Sequence, residues 1–169
     1  MDAYSLIREM PGKNRCDLSL LLRDAEHFAH LIEEMAGPFS KDGITHVAGI
    51  DAMGFVLGGP IAIALEAGFV AIRKGGKSAW STSDRVFRDY SGEEKSLHLV
   101  VGALDHDSRV LLVDDWTETG AQIRAAVDLC VAAGASLVGV TVINADPNAR
   151  KRLQKDGLRL HSALRYQGI

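Results

Sequence analysis

Short apolar runs recur along this chain, and between them the hydrophobic period lengthens from two residues toward four. Val110-Leu111-Leu112-Val113 is the clearest run and reads as a buried parallel strand. Leu137 to Ile143 reads the same way. Val47 to Ile50 is a shorter strand ending in Asp51, and Phe69 to Ile72 another, ending in Arg73-Lys74-Gly75-Gly76-Lys77. Ser96 to Val100 and Leu158 to Leu164 complete the strands. Helices are predicted between them. Asp24 opens one whose inner face is Phe28, Leu31, Ile32 and Met35, closed by Gly37-Pro38. Gly54 to Ala67 is an apolar helix of small residues, in which Pro60 must lie in the first turn or kink the axis. Ile123, Ala126, Val127 and Cys130 have helical spacing, and Asp146-Pro147 opens a last short helix. Residues 78–94 are polar, hold Trp80, Phe87 and Tyr90, and show no period, which suits a mobile lid. Strands alternating with helices imply an α/β fold, a mainly parallel twisted sheet covered by helices on both faces, as one domain over 1–169.

Composition narrows this picture. The chain has 169 residues, 47% of them hydrophobic, enough for one domain with a substantial core. A net charge of −3 gives no basic surface for nucleic acid. The longest apolar stretches fall short of the ~20 residues that span a bilayer. Cys16 and Cys130 lack metal-type spacing, and no secretory signal is evident, so reduced thiols and a cytoplasmic setting are expected. His27 and His30 lie one turn apart without a third ligand and read as rim residues.

The chemistry concentrates behind the Val110–Val113 run. Asp114 and Asp115 stand at its end, followed by Trp116-Thr117-Glu118-Thr119-Gly120-Ala121-Gln122 and a helix. Open α/β sheets hold ligands outside the carboxyl ends of their strands. Amides of a strand–loop–helix turn attract an anion, typically a phosphate. Adjacent carboxylates repel, and are tolerable where hydroxyls donate to them or a cation bridges them. A ligand with a phosphate at one end and a diol at the other satisfies both halves, which describes ribose 5-phosphate. The three cations Arg73, Lys74 and Lys77 on a glycine loop suit a polyanion such as pyrophosphate, or equally a solvated surface.

The run from Val110 to Gln122 resembles the phosphoribosyl pyrophosphate signature of the type I phosphoribosyltransferases. The likeness covers about Pro11 to Tyr166 and is strongest to the adenine phosphoribosyltransferases. Pro11-Gly12, Asp17, Leu21-Leu22 and Asp24 are similar to that branch's N-terminal segment, Val47 to Phe55 to its pyrophosphate loop and following helix, and Gly68 to Lys77 to its basic loop. Asp89-Tyr90 falls where the branch's mobile hood loop carries Glu-Tyr. The resemblance implies transfer of a 5-phosphoribosyl group from phosphoribosyl pyrophosphate to a purine-type nucleobase in salvage, with Mg2+, in a homodimer. It places ribose and phosphate at Asp114, Asp115 and Thr117 to Gln122, and pyrophosphate at Ala52, Met53, Gly54, Arg73, Lys74 and Lys77. The base falls at Trp116, Arg15 and Asn14. Mg2+ is held mainly by substrate, near Asp114 and Asp115. Catalytic candidates are Glu118, Asp89 and Asp115, with Glu118 favoured as the acid/base because it matches the acidic residue of the hypoxanthine-guanine enzymes.

The departures are specific. The branch's Ser-Arg-Gly is Ala52-Met53-Gly54 here, which removes a guanidinium. Arg15 and Cys16 stand where the branch has Phe and Arg. The Ala-Thr-Gly-Gly-Thr phosphate loop is Glu118-Thr119-Gly120-Ala121-Gln122. These changes equally suit a transferase for a base other than adenine, or a non-catalytic relative that senses a nucleotide or phosphoribosyl pyrophosphate.

Overall fold

The computed structural model describes residues 6–9, 16–75, 80–89 and 91–164. A two-residue antiparallel pair opens it, β1 (Arg8–Glu9) with β2 (Cys16–Asp17). One short helix follows, α1 (Ser19–Leu22), then α2 (Ala25–Ala36), whose Asp24 N-cap carboxylate accepts from the His27 N–H. A 3-10 turn at Gly37–Phe39 closes α2 where Gly37-Pro38 predicted the stop. Then come β3 (His46–Ile50), α3 (Met53–Ala64), β4 (Gly68–Lys74), β5 (Thr82–Arg88), β6 (Glu94–Val100), β7 (Arg109–Thr117), α4 (Ala121–Ala132), β8 (Ser136–Ala145), α5 (Pro147–Lys155) and β9 (Leu160–Ser162).

The large sheet has the order β5-β6-β4-β3-β7-β8-β9. Its five strands from β4 to β9 are parallel, and β6 and β5 add antiparallel at one edge. Both faces are covered. Alternate residues of β7 separate the two layers: Val110 and Leu112 pack with α4 and α5, Leu111 and Val113 with α2 and α3. The chain leaves β3 toward β4 on one side, yet β7 takes the other side. The order therefore reverses beside β3, the kind of place where such sheets open a crevice.

Four expectations are corrected. β7 runs on through Asp114, Asp115, Trp116 and Thr117, so the loop before α4 shrinks to Glu118–Gly120. α3 stops at Ala64, three residues early, and Pro60 sits well inside it rather than in its first turn. Proline has no N–H for the Val56 carbonyl, and Val56 is partly exposed, so water can take that acceptor. β9 is shorter than predicted. The described part of the expected lid, 80–89 and 91–94, is not aperiodic: β5 pairs with β6 along all seven residues as a hairpin. Only Phe87 of β5 is buried, so the strand carries almost no period-two signal. Its pairing is reinforced by His98 Nδ1, which donates to Asp84 Oδ1 at 2.6 Å while Nε2 lies 2.8 Å from the Ser96 hydroxyl.

At the far edge, His161 of β9 lies edge-on to Phe39. Burial of its imidazole, with Arg150 and Arg159 nearby, lowers its pKa, against an opposing backbone contact from Glu34. The folded protein therefore resists protonation that the unfolded chain accepts near pH 6.5. Stability from this residue is complete above about pH 6.5 and is lost as pH falls toward the lowered folded value. Thermal melts at pH 7 and pH 5.5 should show a larger drop in Tm for the wild type than for His161→Leu. An equal drop would refute the linkage.

Candidate active site

A cleft of about 1000 Å³ opens at the carboxyl ends of β3, β4 and β7. Three connections meet in it. Asp51, Ala52 and Met53 come from the turn between β3 and α3, Lys74 and Gly75 from the end of β4, and Asp115 to Gly120 from β7 and its loop. The turn after β3 is fixed by close backbone approach. A Cβ on Gly49 would lie 2.2 Å from the Gly54 carbonyl oxygen, and one on Gly54 would lie 2.6 Å from that of Val113. Gly120, with φ of +82°, is the N-cap of α4, a conformation L side chains rarely adopt. The Thr119 hydroxyl accepts from the Ala121 N–H at 3.2 Å and tightens the turn.

The two neighbouring acids part company. Strand alternation turns Asp114 toward α4, where it is 2% exposed. Its Oδ1 accepts from the Asp115 N–H at 3.0 Å, and its Oδ2 from Gln122 Nε2 at 2.5 Å. Burial, then the Asp115 carboxylate, push its pKa well above the ordinary carboxylate range, with Lys74 pulling the other way. Asp115 faces the cleft, and its Oδ1 accepts from the Trp116 N–H at 2.8 Å.

The opposite wall comes from the hairpin, through Val86, Phe87, Asp89, Glu94, Lys95 and Ser96. Asp89 caps the hairpin turn. Its carboxylate pairs with Lys95 and accepts from the Ser91 hydroxyl at 2.6 Å and the amides of Ser91 and Glu93. Lys95 first, and then Ser91, hold Asp89 far below the usual carboxylate range, and Asp89 in turn raises Lys95.

One acid of the pair, a glycine turn and the lysine that ends β4 thus meet in a single cleft. A family description, phosphoribosyl transferase domain, matches residues 21–164. The chain belongs to the phosphoribosyltransferase family. Its relatives include the adenine phosphoribosyltransferase of Symbiobacterium thermophilum, 40% identical over 161 residues that cover 91% of this chain and 94% of that one. The enzyme of the same name from Maricaulis maris is 36% identical, covering 99% of each. Among solved structures, the adenine phosphoribosyltransferase of Rhodothermus marinus superposes with a TM-score of 0.88 at 30% identity, over 96% of this chain and 95% of that one. The Giardia lamblia enzyme, complexed with 9-deazaadenine, gives 0.90 at 29%, over 99% and 97%.

This phosphoribosyltransferase gathers most of the expected residues. Ala52, Met53, Lys74, Asp89, Asp115, Trp116, Thr117, Glu118, Thr119, Gly120 and Gln122 line the cleft. Gly54 and Ala121 are not among the lining residues, and Asp114 is withdrawn beneath α4. Arg73 is a correction. Successive residues of a strand point to opposite faces, so with Lys74 in the cleft Arg73 leaves it, and its guanidinium lies 5.9 Å from the Phe55 ring centre. Asn14, Arg15, Lys77 and Tyr90 fall outside the described residues. Sequence reasoning missed Asp51, Lys95, Ile7, Leu18 and Ile143, all lining the cleft. The β3-terminal Asp51 was the one with a visible signal, a carboxylate closing an apolar strand. Among the described residues no group of three or more His, Cys, Asp or Glu is placed to hold a metal.

Proposed function

We propose that this transferase moves the 5-phosphoribosyl group of phosphoribosyl pyrophosphate onto a purine base, adenine first among them, releasing pyrophosphate and a nucleoside monophosphate. The observation that carries this reading is the cleft itself. One glycine turn at a helix start, one cleft-facing carboxylate and one lysine at neighbouring strand ends suit phosphate, sugar and pyrophosphate in that order. The names of the relatives support adenine as the base.

The roles follow from position. The amides and hydroxyls of Thr117 to Gly120 bind the 5-phosphate. Asp115 accepts from the ribose hydroxyls and faces the positive charge that develops at C1 as pyrophosphate departs. Lys74 and the loop at Ala52 and Met53 receive pyrophosphate, with Lys95 as a second cation across the cleft. Mg2+, arriving on the substrate, neutralises the leaving group. The base lies against Trp116, between Ile7, Leu18 and Ile143. The Trp116 indole N–H is buried without a hydrogen-bond partner among the described residues, and a ring nitrogen or carbonyl of a base can accept from it. Glu118 is the acid/base that exchanges a proton with the base. Asp89 is less suited, since its carboxylate is already met by Lys95, a hydroxyl and two amides.

The α3 surface supports a homodimer. The helix from Met53 to Ala64 has no charged residue, yet Ile63 is 81% exposed and Val56 43%. No helix among the described residues is long and apolar enough to cross a membrane. The free, buried thiol of Cys130 suits the reducing cytoplasmic setting that we propose.

The deciding experiment incubates the protein with phosphoribosyl pyrophosphate, Mg2+ and a panel of nucleobases, and measures pyrophosphate release. Release with adenine is expected. Release only with another base would correct the substrate, and none with any base would overturn the reading.

A further inference from the structure

Gln122 closes the segment that resembles a phosphate loop, and it lines the cleft, so a role as phosphate ligand is the first assumption. The geometry points elsewhere. Gln122 is the second residue of α4, immediately above the end of β7. Its side chain turns back across the loop and donates Nε2–H to Asp114 Oδ2 at 2.5 Å. The other Asp114 oxygen accepts from the Asp115 amide. A carboxylate 2% exposed, with both oxygens occupied, cannot swing toward a sugar without giving up a hydrogen bond. The groups around it are Asp115 on β7, Lys74 on β4 and Gln122 on α4. A hydroxyl residue at position 122 would be too short for this span, whereas glutamine has the reach of two more bonds.

We infer that Gln122 is a positioning residue that holds Asp114 withdrawn beneath α4, leaving Asp115 as the single acid presented to the ribose, and that Gln122 is not a ligand of the 5-phosphate. The inference rests on the function proposed above. It also deepens it, because the phosphate is then held by the turn's amides and threonine hydroxyls alone. Losing Gln122 lets the Asp114 carboxylate shift and disturbs the sugar site where charge develops, so the loss falls on turnover rather than on substrate binding.

Two variants separate the roles. Gln122→Met keeps the side-chain length without the donor. Gln122→Thr restores a hydroxyl beside the phosphate without the reach to Asp114. Both should lower kcat at least about 10-fold and leave KM for phosphoribosyl pyrophosphate, and ribose 5-phosphate affinity by calorimetry, within about 2-fold. Asp114→Asn retains an acceptor oxygen for Gln122 and should lower kcat less than Gln122→Met does. A phosphate-ligand role gives the opposite split: Gln122→Met raises KM with kcat intact, and Gln122→Thr recovers. That result would overturn the inference. The Gln122 side-chain amide resonance of the ligand-free protein reads the same contact without turnover. It should move on Asp114→Asn, and its indifference would overturn the assignment even if the wild type transfers no phosphoribosyl group. A wild type that is inactive while the resonance does move would instead count against the proposed function alone.

Discussion

Asp115→Asn is expected to reduce pyrophosphate release by about 10²–10³-fold, with the Tm within a few degrees of the wild type. The side chain faces the cleft and its structural contact, accepting the Trp116 N–H, is one that an Asn carbonyl can keep. What Asn removes is the charge. A departing pyrophosphate leaves positive charge on the ribosyl ring, and a carboxylate in a confined cleft stabilises it without having to reorient. Asp114→Asn makes the complementary control. It removes the buried carboxylate beside Asp115 and relieves their repulsion, but it keeps one acceptor oxygen where two are used, so its Tm should stay within a few degrees of the wild type. The double variant Asp114→Asn with Asp115→Asn should be inactive yet folded. Activity within 10-fold of wild type in that double variant would remove the acids from the reaction.

Gly49→Ala is the largest expected effect on stability. Its Cβ would sit 2.2 Å from the Gly54 carbonyl oxygen and 2.8 Å from the carbonyl carbon, with Phe69 at 2.9 Å on the other side. The ring could turn, but the Gly54 backbone cannot retreat, because Gly54 is itself pressed against the Val113 carbonyl of β7. Relief requires separating β3, α3 and β7 at the centre of the sheet. The cost should reach about 3 kcal/mol or more, a Tm loss of roughly 6–12 °C for a chain of this size. Gly59→Ala, where an added Cβ meets nothing within 4 Å beyond its chain neighbours, should cost far less, about 1 kcal/mol at most, because the helical gain of alanine is offset by its crowding against the ring of Pro60. Urea denaturation of the pair checks both. A Gly49→Ala protein as stable as Gly59→Ala would show that the close approach carries no weight.

Much of this was legible in the sequence for a simple reason. The strands that build the site are buried on both faces, so β3, the first half of β7 and β8 are mainly apolar, and those apolar stretches are followed by Asp51, by Asp114-Asp115 and by Asp146-Pro147. What could not be read were features whose hydrophobic signal is weak. β5 buries Phe87 alone, so its seven residues look like loop. The extension of β7 past Val113 is polar, and stopping the strand there hid the alternation that sends Asp114 under α4 and Asp115 into the cleft. The same alternation separates Lys74 from Arg73. Lys95 escaped notice because nothing local distinguishes a lysine that crosses a hairpin turn to Asp89 from one that faces water.

Among the described residues the hairpin joins the rest of the sheet through two residue pairs, Arg73 with His98 and Lys74 with Leu97, with the Gly75 N–H donating to the Ser96 carbonyl beside them. One of the four paired residues is the lysine assigned to the departing group. Any tilt of the β5–β6 arm would therefore drag Lys74 with it, so widening the mouth and letting go of pyrophosphate would be a single stroke, with the product's exit geared to the swing of the arm.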